Sequence, residues 1–390
     1  MIHTSVRILQ VVAVLGCFSS VIYYFFCLWS VHAFLREHKS GGGSPPTPFL
    51  PPVSILKPLR GADPDIYESF RSHCLQDYPA YEIIFGVSDP DDPVAVSVKQ
   101  LKEEFPNHAI RLVVCPNALG PNVKVSNLQQ MLQLARYDYL LVNDSDIRVA
   151  PDYLRHIMAP LADERVGMVT CLYRGIATPT LGSRLESLGI STDFCAGVLV
   201  ARQLEDGIRF GLGSTLAFRR ADLERIGGFQ SIVDFLADDY ELGRRIAGLG
   251  LHVVLSDVVV ETHLPSYDLR GFLAHQLRWA RGIRASRRGG YVGLVFTYGL
   301  MWALINLIIA RGTPWSWAAL GTVFLLRLAG ALAVGNVVLH DREMTKHLWL
   351  LPLRDLIAVA VWIGSFAGRT VTWRGDRFQL RNGRLIRIAT

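Results

Sequence analysis

The sequence predicts an α/β domain that is carried between an N-terminal transmembrane helix and further membrane segments near the C-terminus. Residues 8–31 contain no Asp, Glu, Lys or Arg, and a stretch of that length can span a bilayer. From residue 53 onward, short apolar runs alternate with helical segments, which is typical of a mainly parallel sheet with helices on both faces. With 50% hydrophobic residues among 390, the chain is too apolar for an ordinary soluble enzyme.

The apolar N-terminus favours a retained anchor over a cleaved secretory signal. The run is long for the apolar part of a signal peptide, and no small-residue cleavage site follows it. We therefore expect an anchor at residues 1–36 and a Gly/Pro-rich linker at residues 37–52. Basic residues flank the region between the anchor and the later apolar segments, which predicts that this region faces the cytoplasm.

The expected membrane region, residues 289–368, contains three apolar candidate spans: residues 292–310, 314–339 and 348–367. The last two carry charged side chains: Arg327, Arg354 and Asp355. Intramembrane charges usually face protein, water or each other, although long side chains also snorkel to the interface. We expect one of these two segments to be shallow or re-entrant.

Residues 53–268 are long enough to form one domain with a full core. The expected strands are residues 53–56, 82–87, 111–115 and 139–142, and the expected helices are residues 65–76, 95–105 and 126–135. Open α/β sheets bind ligands beyond the carboxyl ends of their strands. Polar residues that follow these strands are therefore candidate site residues.

Asp144 and Asp146 directly follow the last of these apolar runs. Two carboxylates at positions i and i+2 of a sheet edge can hold a divalent cation against a diphosphate, because Mg²⁺ prefers one or two carboxylates plus phosphate oxygens. A solvated turn is the alternative interpretation of Asp-x-Asp taken alone.

Two further candidates lie just before predicted helices. Asp92 either caps a helix whose first residue is Pro93, or it hydrogen-bonds a nucleobase. Lys124 lies beside a helix N-terminus, where free N–H groups and the helix dipole attract a diphosphate. Simple solvation at the surface is the alternative for Lys124.

Three candidates lie later in the same domain. Gly213 belongs to a glycine-flanked strand, where a sugar could approach the backbone closely. Asp238 and Asp239 stand at a predicted helix start, where acidic residues ordinarily interact with the helix dipole. Adjacent carboxylates also suit base catalysis, because one can orient the other or stabilise cations.

Residues 269–288 are predicted to form an amphipathic helix at the membrane surface. Its apolar residues recur at helical spacing, and arginines occupy much of the remainder. The helix carries His275, Arg278 and Trp279 in the pattern His-x-x-Arg-Trp. Trp279 is interpreted either as a stacking platform or as an aromatic residue of the membrane interface.

Cysteine usage and charge narrow the class of protein further. The six cysteines form no CxxC pair and show no zinc spacing, so we expect buried, reduced thiols of a cytosolic domain. The net charge of +6 is concentrated in membrane-proximal arginines. This distribution indicates contact with the anionic headgroups of a phospholipid bilayer and no nucleic acid partner.

The ordered set of motifs resembles the ceramide glucosyltransferase family, glycosyltransferase family 21. The set comprises Asp92, Asp144-Ser-Asp146, Asp239 and His275-x-x-Arg278-Trp279. The sequences around Asp144 and Asp239 are most similar to the bacterial branch that includes the hopanoid-biosynthesis glycosyltransferase. His275 departs from the family pattern, which has Gln or Arg at that position.

The resemblance implies a GT-A fold and an inverting transfer from a UDP-sugar, UDP-glucose or UDP-N-acetylglucosamine, to a membrane lipid of ceramide or hopanoid type. Asp92 would bind the uridine, with Lys124, Gly213 and His275 contributing to the nucleotide-sugar site. Asp144 and Asp146 would hold Mg²⁺ or Mn²⁺. Asp239, beside Asp238, would be the catalytic base. Arg278 would contact the leaving group, and Trp279 would contact the sugar or the acceptor.

Three alternatives stay open from the sequence alone. A processive polysaccharide synthase shares most of these motifs, although the C-terminal segments are few for a secretion pore. A metal-dependent nucleotide-sugar hydrolase would use the same carboxylates, and a non-catalytic membrane scaffold or transporter could retain a nucleotide-binding domain. The expected location is a multi-pass protein of the bacterial inner membrane with a cytoplasmic catalytic domain.

The basic C-terminal tail, residues 369–390, is predicted to contain a β-hairpin. Asn382-Gly383 favours a tight type I′ turn between two extended runs. The arginines of this tail favour the cytoplasmic face, on the side of the catalytic domain.

Overall fold

The chain forms two compact units in a computed structural model that describes residues 2–40, 49–61, 65–373 and 376–388. The helical unit comprises Met1–Gly41, Pro179–Gln203 and Ser266–Arg369. The sheet unit comprises Gly42–Thr178, Leu204–Pro265 and Thr370–Thr390. Both units are discontinuous in sequence, and half of the expected linker, residues 41–48, lies outside the described residues.

Strands and helices alternate along the described chain, as the sequence predicts. The strands are β1 (Val53–Pro58), β2 (Tyr81–Val87), β3 (Ala109–Val114), β4 (Tyr139–Val142), β5 (Ile147–Arg148), β6 (Val166–Ile176), β7 (Leu216–Arg219), β8 (His252–His263), β9 (Thr370–Trp373), β10 (Asp376–Arg381) and β11 (Arg384–Arg387). The helices are α1 (Ile2–Ser40), α2 (Ile66–Cys74), α3 (Val94–Glu104), α4 (Val123–Leu132), α5 (Tyr153–Met158), α6 (Leu181–Gly189), α7 (Cys195–Leu204), α8 (Arg220–Arg225), α9 (Asp238–Ala247), α10 (Leu269–Ser286), α11 (Arg288–Gly293), α12 (Gly299–Ile309), α13 (Pro314–Leu332), α14 (Arg342–Lys346) and α15 (Leu351–Phe366).

The main sheet has eight strands within the described residues, in the order β3-β2-β1-β4-β7-β6-β8-β5. Strands β3, β2, β1 and β4 are parallel neighbours, and β6 pairs in parallel with β8. The side chains of β1 are all buried, as expected for a strand covered on both faces. This half of the sheet therefore confirms the α/β class and the parallel arrangement.

Strand β7 interrupts the parallel order, which the apolar pattern alone does not indicate. It pairs antiparallel with β4, and Leu216 lies opposite Val142 at the end of β4. Because β7 begins where β4 ends, the two strands must run in opposite directions. The loop that enters β7 then passes the residues that leave β4, and the backbone N–H of Asp144 donates to the carbonyl of Gly213 at 3.1 Å.

Among its described residues, the helical unit contains three helices that are long and apolar enough to cross a membrane. They are Thr4–Lys39, Pro314–Val338 and Leu348–Phe366, and a fourth candidate is a pair bent by 48°, Arg288–Thr297 with Gly299–Ile309. Helix α1 buries Cys17 and Tyr24 against Ala303 and Val323, whereas Phe18 and Phe25 on the same helix are exposed. An exposed apolar face of this kind suits contact with lipid.

The charged residues of the apolar segments pair with each other inside the helical unit. The Arg327 guanidinium contacts Asp355 at 2.8 Å and Asp193 at 2.5 Å, and Arg354 lies 3.4 Å from Asp193. Only 6% of Arg327 is exposed. These pairs confirm the expectation that charges in the apolar segments face each other. The alternative that Arg327 snorkels to the membrane interface is wrong.

Two other predicted elements are present. Helix α10 buries Phe272 and leaves Leu269, Leu273 and Ile283 exposed, which leaves an apolar surface on the predicted interfacial helix. Strands β10 and β11 form the predicted hairpin, and β9, which the sequence does not indicate, adds a third antiparallel strand.

All six cysteines lie within the described residues and are free and buried. This confirms the expectation of buried, reduced thiols. In the sheet unit, burial raises the pKa of Cys115 to about 11 and that of Cys171 to about 12, so both remain protonated thiols at neutral pH.

We expect Arg327→Met to destabilise the protein by about 3–5 kcal/mol, because it removes the buried guanidinium that pairs with the largely buried Asp355 carboxylate. The measurement is the thermal and denaturant midpoint of the detergent-solubilised protein. Lys346→Ala is the matched control, since it removes an exposed ion pair with Glu343 and should leave the midpoint unchanged. Equal midpoints for both variants would contradict a structural role for the Arg327 pairs.

Candidate active site

The two carboxylates of the Asp-x-Asp sequence lie at the carboxyl end of β4, as predicted. The backbone carbonyl of Asp144 accepts a hydrogen bond from Lys57 Nζ at 3.1 Å. The carboxylate of Asp146 accepts a hydrogen bond from Thr262 Oγ1, and its carbonyl accepts from the backbone N–H of His263. The last residues of β8 therefore hold Asp146 in place. The side chain of Asp144, just after β4, is 43% exposed.

Lys124 joins two carboxylates that come from different elements. Its Nζ atom lies 2.8 Å from Asp144 Oδ1 and 3.0 Å from Asp238 Oδ2. Burial acts to lower the pKa of the Lys124 ammonium, but the surrounding aspartates outweigh it and hold that pKa above its ordinary value. The solvated-surface interpretation of Lys124 is wrong, because only 12% of its side chain is exposed.

Gly213 lies in contact with two of these aspartates. Its backbone N–H donates to Asp239 Oδ2 at 2.8 Å, and its carbonyl accepts from Asp144 N. A Cβ atom at this position would come within 2.6 Å of Asp144 Oδ2 and 3.3 Å of Asp239 Oδ2. Only glycine lets the backbone approach both carboxylates this closely.

Asp238 and Asp239 begin helix α9 and have different partners. Asp238 is buried and pairs with Lys124, whereas Asp239 is partly buried and accepts from the backbone N–H groups of Gly213 and Tyr240. Burial raises the pKa of Asp239 to about 6, and the neighbouring Asp238 carboxylate adds to the rise while Lys124 opposes it. Asp239 can therefore take up a proton near neutral pH.

Asn122 is a residue of this cluster that sequence reasoning missed. It is fully buried and caps α4, since its Oδ1 accepts from Val125 N at 3.1 Å. Its Nδ2 group donates to the carbonyl of Phe235 at 2.8 Å and lies 3.5 Å from Asp238 Oδ1. An Asn at a predicted helix start is a capping signal, but its second set of partners is distant in sequence and could not be read locally.

Lys57 lies beneath the cluster and is fully buried. Besides Asp144, it contacts His73, whose Nε2 atom lies 3.4 Å from Lys57 Nζ while Nδ1 lies 2.9 Å from the carbonyl of Ser69. Burial lowers the pKa of Lys57 to about 7 and lowers that of His73 well below its usual range. A neutral His73 that donates from Nδ1 and accepts at Nε2 fits both contacts.

Asp92 holds two loops together. Its carboxylate accepts from the backbone N–H of Gly61 at 2.9 Å and from that of Val94 at 3.0 Å. The helix begins at Val94, so Pro93 occupies the cap position and is not the first helical residue that the sequence indicated. The capping interpretation thus describes the contact that Asp92 makes, and a nucleobase role for it stays a prediction.

The three residues of the His-x-x-Arg-Trp sequence lie on α10 in the helical unit. His275 is 3.4 Å from the buried carboxylate of Glu186, which also accepts from Gln276 at 2.7 Å. Trp279 packs against the rings of His275 and Phe194, with centroids 5.4 and 5.8 Å apart. The roles of His275, Arg278 and Trp279 toward a nucleotide sugar stay predictions.

The residues at this sheet edge suit a divalent cation. Four carboxylates (Asp144, Asp146, Asp238 and Asp239) and two lysines (Lys57 and Lys124) leave a formal charge of −2 when all are ionised. Within the described ranges, no three His, Cys, Asp or Glu side chains converge as a complete metal site. Mg²⁺ favours one or two carboxylates that are completed by diphosphate oxygens, which is the chemistry that Asp144 and Asp146 offer, and their metal role stays a prediction.

We expect Gly213→Ala to lower the free energy of unfolding by about 1 kcal/mol, because its methyl group would displace the Asp144 carboxylate, which pairs with Lys124. Denaturant titration of the purified protein measures the change. Gly197→Ala is the control, since a Cβ atom at Gly197 in helix α7 has nothing within 4 Å. If the two variants unfold alike, the close approach at Gly213 is not a constraint on the fold.

Comparison with known proteins identifies the family of the chain. The sequence matches the profile of glycosyl transferase family 21 over residues 12–386. Ceramide glucosyltransferase 1 of Caenorhabditis elegans is 23% identical over 397 residues, which cover 97% of this chain and 82% of that protein. Ceramide glucosyltransferase 3 of the same organism is 25% identical, with 92% and 80% covered.

A solved structure supports the fold. The mannosyltransferase PcManGT from Pyrobaculum calidifontis, in complex with GDP-Man and Mn²⁺, superposes with a TM-score of 0.54. The alignment covers 91% of this chain and 98% of that one, at 21% identity. The family resemblance that the motifs indicated is confirmed. The chain therefore belongs to glycosyl transferase family 21 and is a glycosyltransferase with the GT-A fold.

Proposed function

We propose that this glycosyltransferase moves a sugar from UDP-glucose or UDP-N-acetylglucosamine to a hydroxyl group of a membrane lipid of ceramide or hopanoid type. The names of its relatives support a lipid acceptor. The observation that carries the proposal is the position of Asp239, a carboxylate with a raised pKa that is hydrogen-bonded to Gly213 beside Asp144. This arrangement puts a proton acceptor next to carboxylates that suit a metal-bound diphosphate.

The nucleotide-sugar site in this proposal lies along the carboxyl ends of β1, β2 and β4. Asp92 holds the loops after β1 and β2 and would contact the uridine. Lys124 would contact the diphosphate, in exchange for part of its present pairing with Asp144. Asp144 and Asp146 would hold Mg²⁺ or Mn²⁺, and the bound cation would neutralise the charge that develops on the UDP leaving group.

Asp239 acts as the general base in this mechanism. It accepts the proton of the lipid hydroxyl as the hydroxyl oxygen attacks the anomeric carbon and the bond from that carbon to UDP breaks. A single displacement of this kind inverts the anomeric configuration. Asp238 stays paired with Lys124 and raises the pKa of Asp239 through its charge.

The residues of α10 serve the leaving group and the acceptor. Arg278 would stabilise the departing UDP through charge-assisted hydrogen bonds. His275 would donate to phosphate, and Trp279 would stack on the sugar or the acceptor. Helix α10 exposes apolar side chains that would lie at the bilayer surface, and the apolar helices would make the enzyme a multi-pass protein with a cytoplasmic catalytic domain.

The direct test is incubation of the purified protein with several UDP-sugars and a membrane lipid extract, followed by mass spectrometry of the lipids. We expect a new glycolipid in the presence of Mg²⁺ or Mn²⁺ and none after EDTA treatment, with activity restored by added metal. Asp146→Ala should weaken UDP-sugar binding. Free sugar without glycolipid would indicate a hydrolase, and full activity in metal-free buffer would remove the metal role from Asp144 and Asp146.

Asp239→Asn should slow lipid glycosylation by about 10²–10⁴-fold, the range for loss of a general base. UDP-sugar affinity should change little, because the amide retains the shape of the carboxylate and gives up the acceptor for only one of the two backbone N–H groups, those of Gly213 and Tyr240. Single-turnover rates and equilibrium binding separate the two effects. A nearly silent Asp239→Asn together with an inactive Asp238→Asn would reverse the assignment within the pair.

The rate of transfer should fall as the pH drops through about 6. Asp239 has a raised pKa, so it is protonated below that pH and cannot accept the proton of the acceptor. Asp238→Asn removes a like charge, lowers the pKa of Asp239 and should move the midpoint to lower pH. The profile of kcat/KM against pH measures both, and an upward shift in Asp238→Asn would contradict this account.

A further inference from the structure

The C-terminal hairpin is joined to the loop that precedes the acidic pair. The backbone N–H of Leu236 donates to the carbonyl of Gly383 at 3.1 Å, and that of Leu385 donates to the carbonyl of Asp234 at 2.7 Å. Phe235 and Arg384 thereby form an isolated antiparallel bridge. Residues 234–236 thus pair with the hairpin next to its turn.

The side chain of Phe235 strengthens this junction. It is buried, and the Arg384 guanidinium of the hairpin lies 5.3 Å from its ring centroid. The guanidinium of Arg245, on α9, lies 5.6 Å from the same centroid. Cations over an aromatic ring are attracted to it, so one ring is held both by the hairpin and by the helix that carries the acidic pair.

Lys124 and Gly213 contact the side chains of Asp238 and Asp239, and the backbone at the start of α9 is connected to the loop before it. Ala237 occupies its cap position and supplies no side-chain cap. On the inner side, Asn122 bonds the loop through Val233 and Phe235. The loop is therefore tied by α4 on one side and by the hairpin on the other. Asp238 and Asp239 follow directly, so their carboxylates move with the loop.

The hairpin contacts the loop near its turn and leaves a cleft beside it. A cleft of about 1110 Å³ is lined by Gly120 and Pro121 before α4, by Arg244 of α9, and by Arg381 and Arg387 of the hairpin. The cleft is open beside the loop. The hydrogen bonds at the turn and the contact between Arg384 and the Phe235 ring therefore determine the position of the loop more than close packing along the hairpin does.

We propose that the C-terminal hairpin is a positioning element of the active site, which acts through Phe235 to set the place of Asp239. This inference rests on the proposed role of Asp239 as the base. Phe235, which belongs to the loop, and Gly383, which contacts the loop from the hairpin, are positioning residues, since neither is assigned a contact with the reacting atoms. An error of about 1 Å in a reacting group can slow an enzyme by about 10²-fold, so a loosened loop would act on the chemical step.

Two pairs of variants test the proposal in the full-length protein. Phe235→Leu removes the aromatic ring, and Phe235→Tyr retains it. The turn needs a φ of +80° at position 383, and Gly383→Val places a β-branched residue there. Asn382→Gly is compatible with the φ of +50° at its own position. We expect Phe235→Leu and Gly383→Val to lower kcat by at least about tenfold. Phe235→Tyr and Asn382→Gly should retain the wild-type rate, and UDP affinity should stay within about twofold in all four variants.

A double-mutant cycle distinguishes positioning from general stabilisation. If the hairpin acts through Asp239, Phe235→Leu should have little further effect on the residual rate of Asp239→Asn. Equal fold losses in both backgrounds would overturn the proposal, as would a lowered melting temperature with an unchanged kcat per folded molecule. A silent Asp239→Asn in the wild-type background would instead remove the proposed base. Absence of transfer with every UDP-sugar tested would remove the proposed function itself.

Discussion

The structure of the active site depends on the ion pairs of Lys124. Three chain segments meet at these ion pairs. Strand β4 ends shortly before Asp144, helix α4 contains Lys124, and helix α9 begins at Asp238. Like charges that approach each other away from bulk water repel strongly, because the local dielectric constant is low. Lys124 makes their approach possible by lying within 3.0 Å of both carboxylates. The burial of the Lys124 ammonium is in turn tolerated because it is paired with these two carboxylates.

The sheet topology creates the position that Lys124 then stabilises. Strand β7 starts at the carboxyl end of β4, so the Gly213 loop passes beside Asp144 and bonds Asp239. Asp238 and Asp239 consequently have unequal surroundings, an ammonium partner for one and backbone N–H groups for the other. Adjacent carboxylates whose environments differ in this way can take different roles in proton transfer.

The sequence predicted those parts of the site that depend on local patterns. Asp144 and Asp146 were found because polar residues follow a buried strand, and Asp238 and Asp239 because acidic residues mark a helix start. Thr262 and His263 are the last two residues of β8, so they could have been found by looking at the polar residues with which a strand ends as well as those that follow it. For Lys124, the sequence suggested either a diphosphate ligand or a solvated side chain. Its pairing with two aspartates was not predicted, because Asp238 is more than a hundred residues away.

The parts that the sequence did not predict are long-range contacts. The turn at Asn382 and Gly383 was readable, since both residues adopt positive φ values in a type I′ turn. Its pairing with residues 234–236 was not readable, because no periodicity links two segments so far apart. The antiparallel course of β7 and the partners of Arg327 belong to the same class. Local chemistry thus predicted several of the side chains that the structure brings together at this sheet edge, while topology decided which of them meet.

The most direct measurement of the central claim, a single displacement assisted by Asp239, is the anomeric configuration of the product. NMR of the glycolipid formed from an α-linked UDP-sugar reports it through the coupling constant of the anomeric proton. The proposed single displacement, with Asp239 as the base, would invert the anomeric centre, so we expect a β-linked product. An α-linked product would require a second displacement or a front-side reaction, and would contradict the role assigned to Asp239.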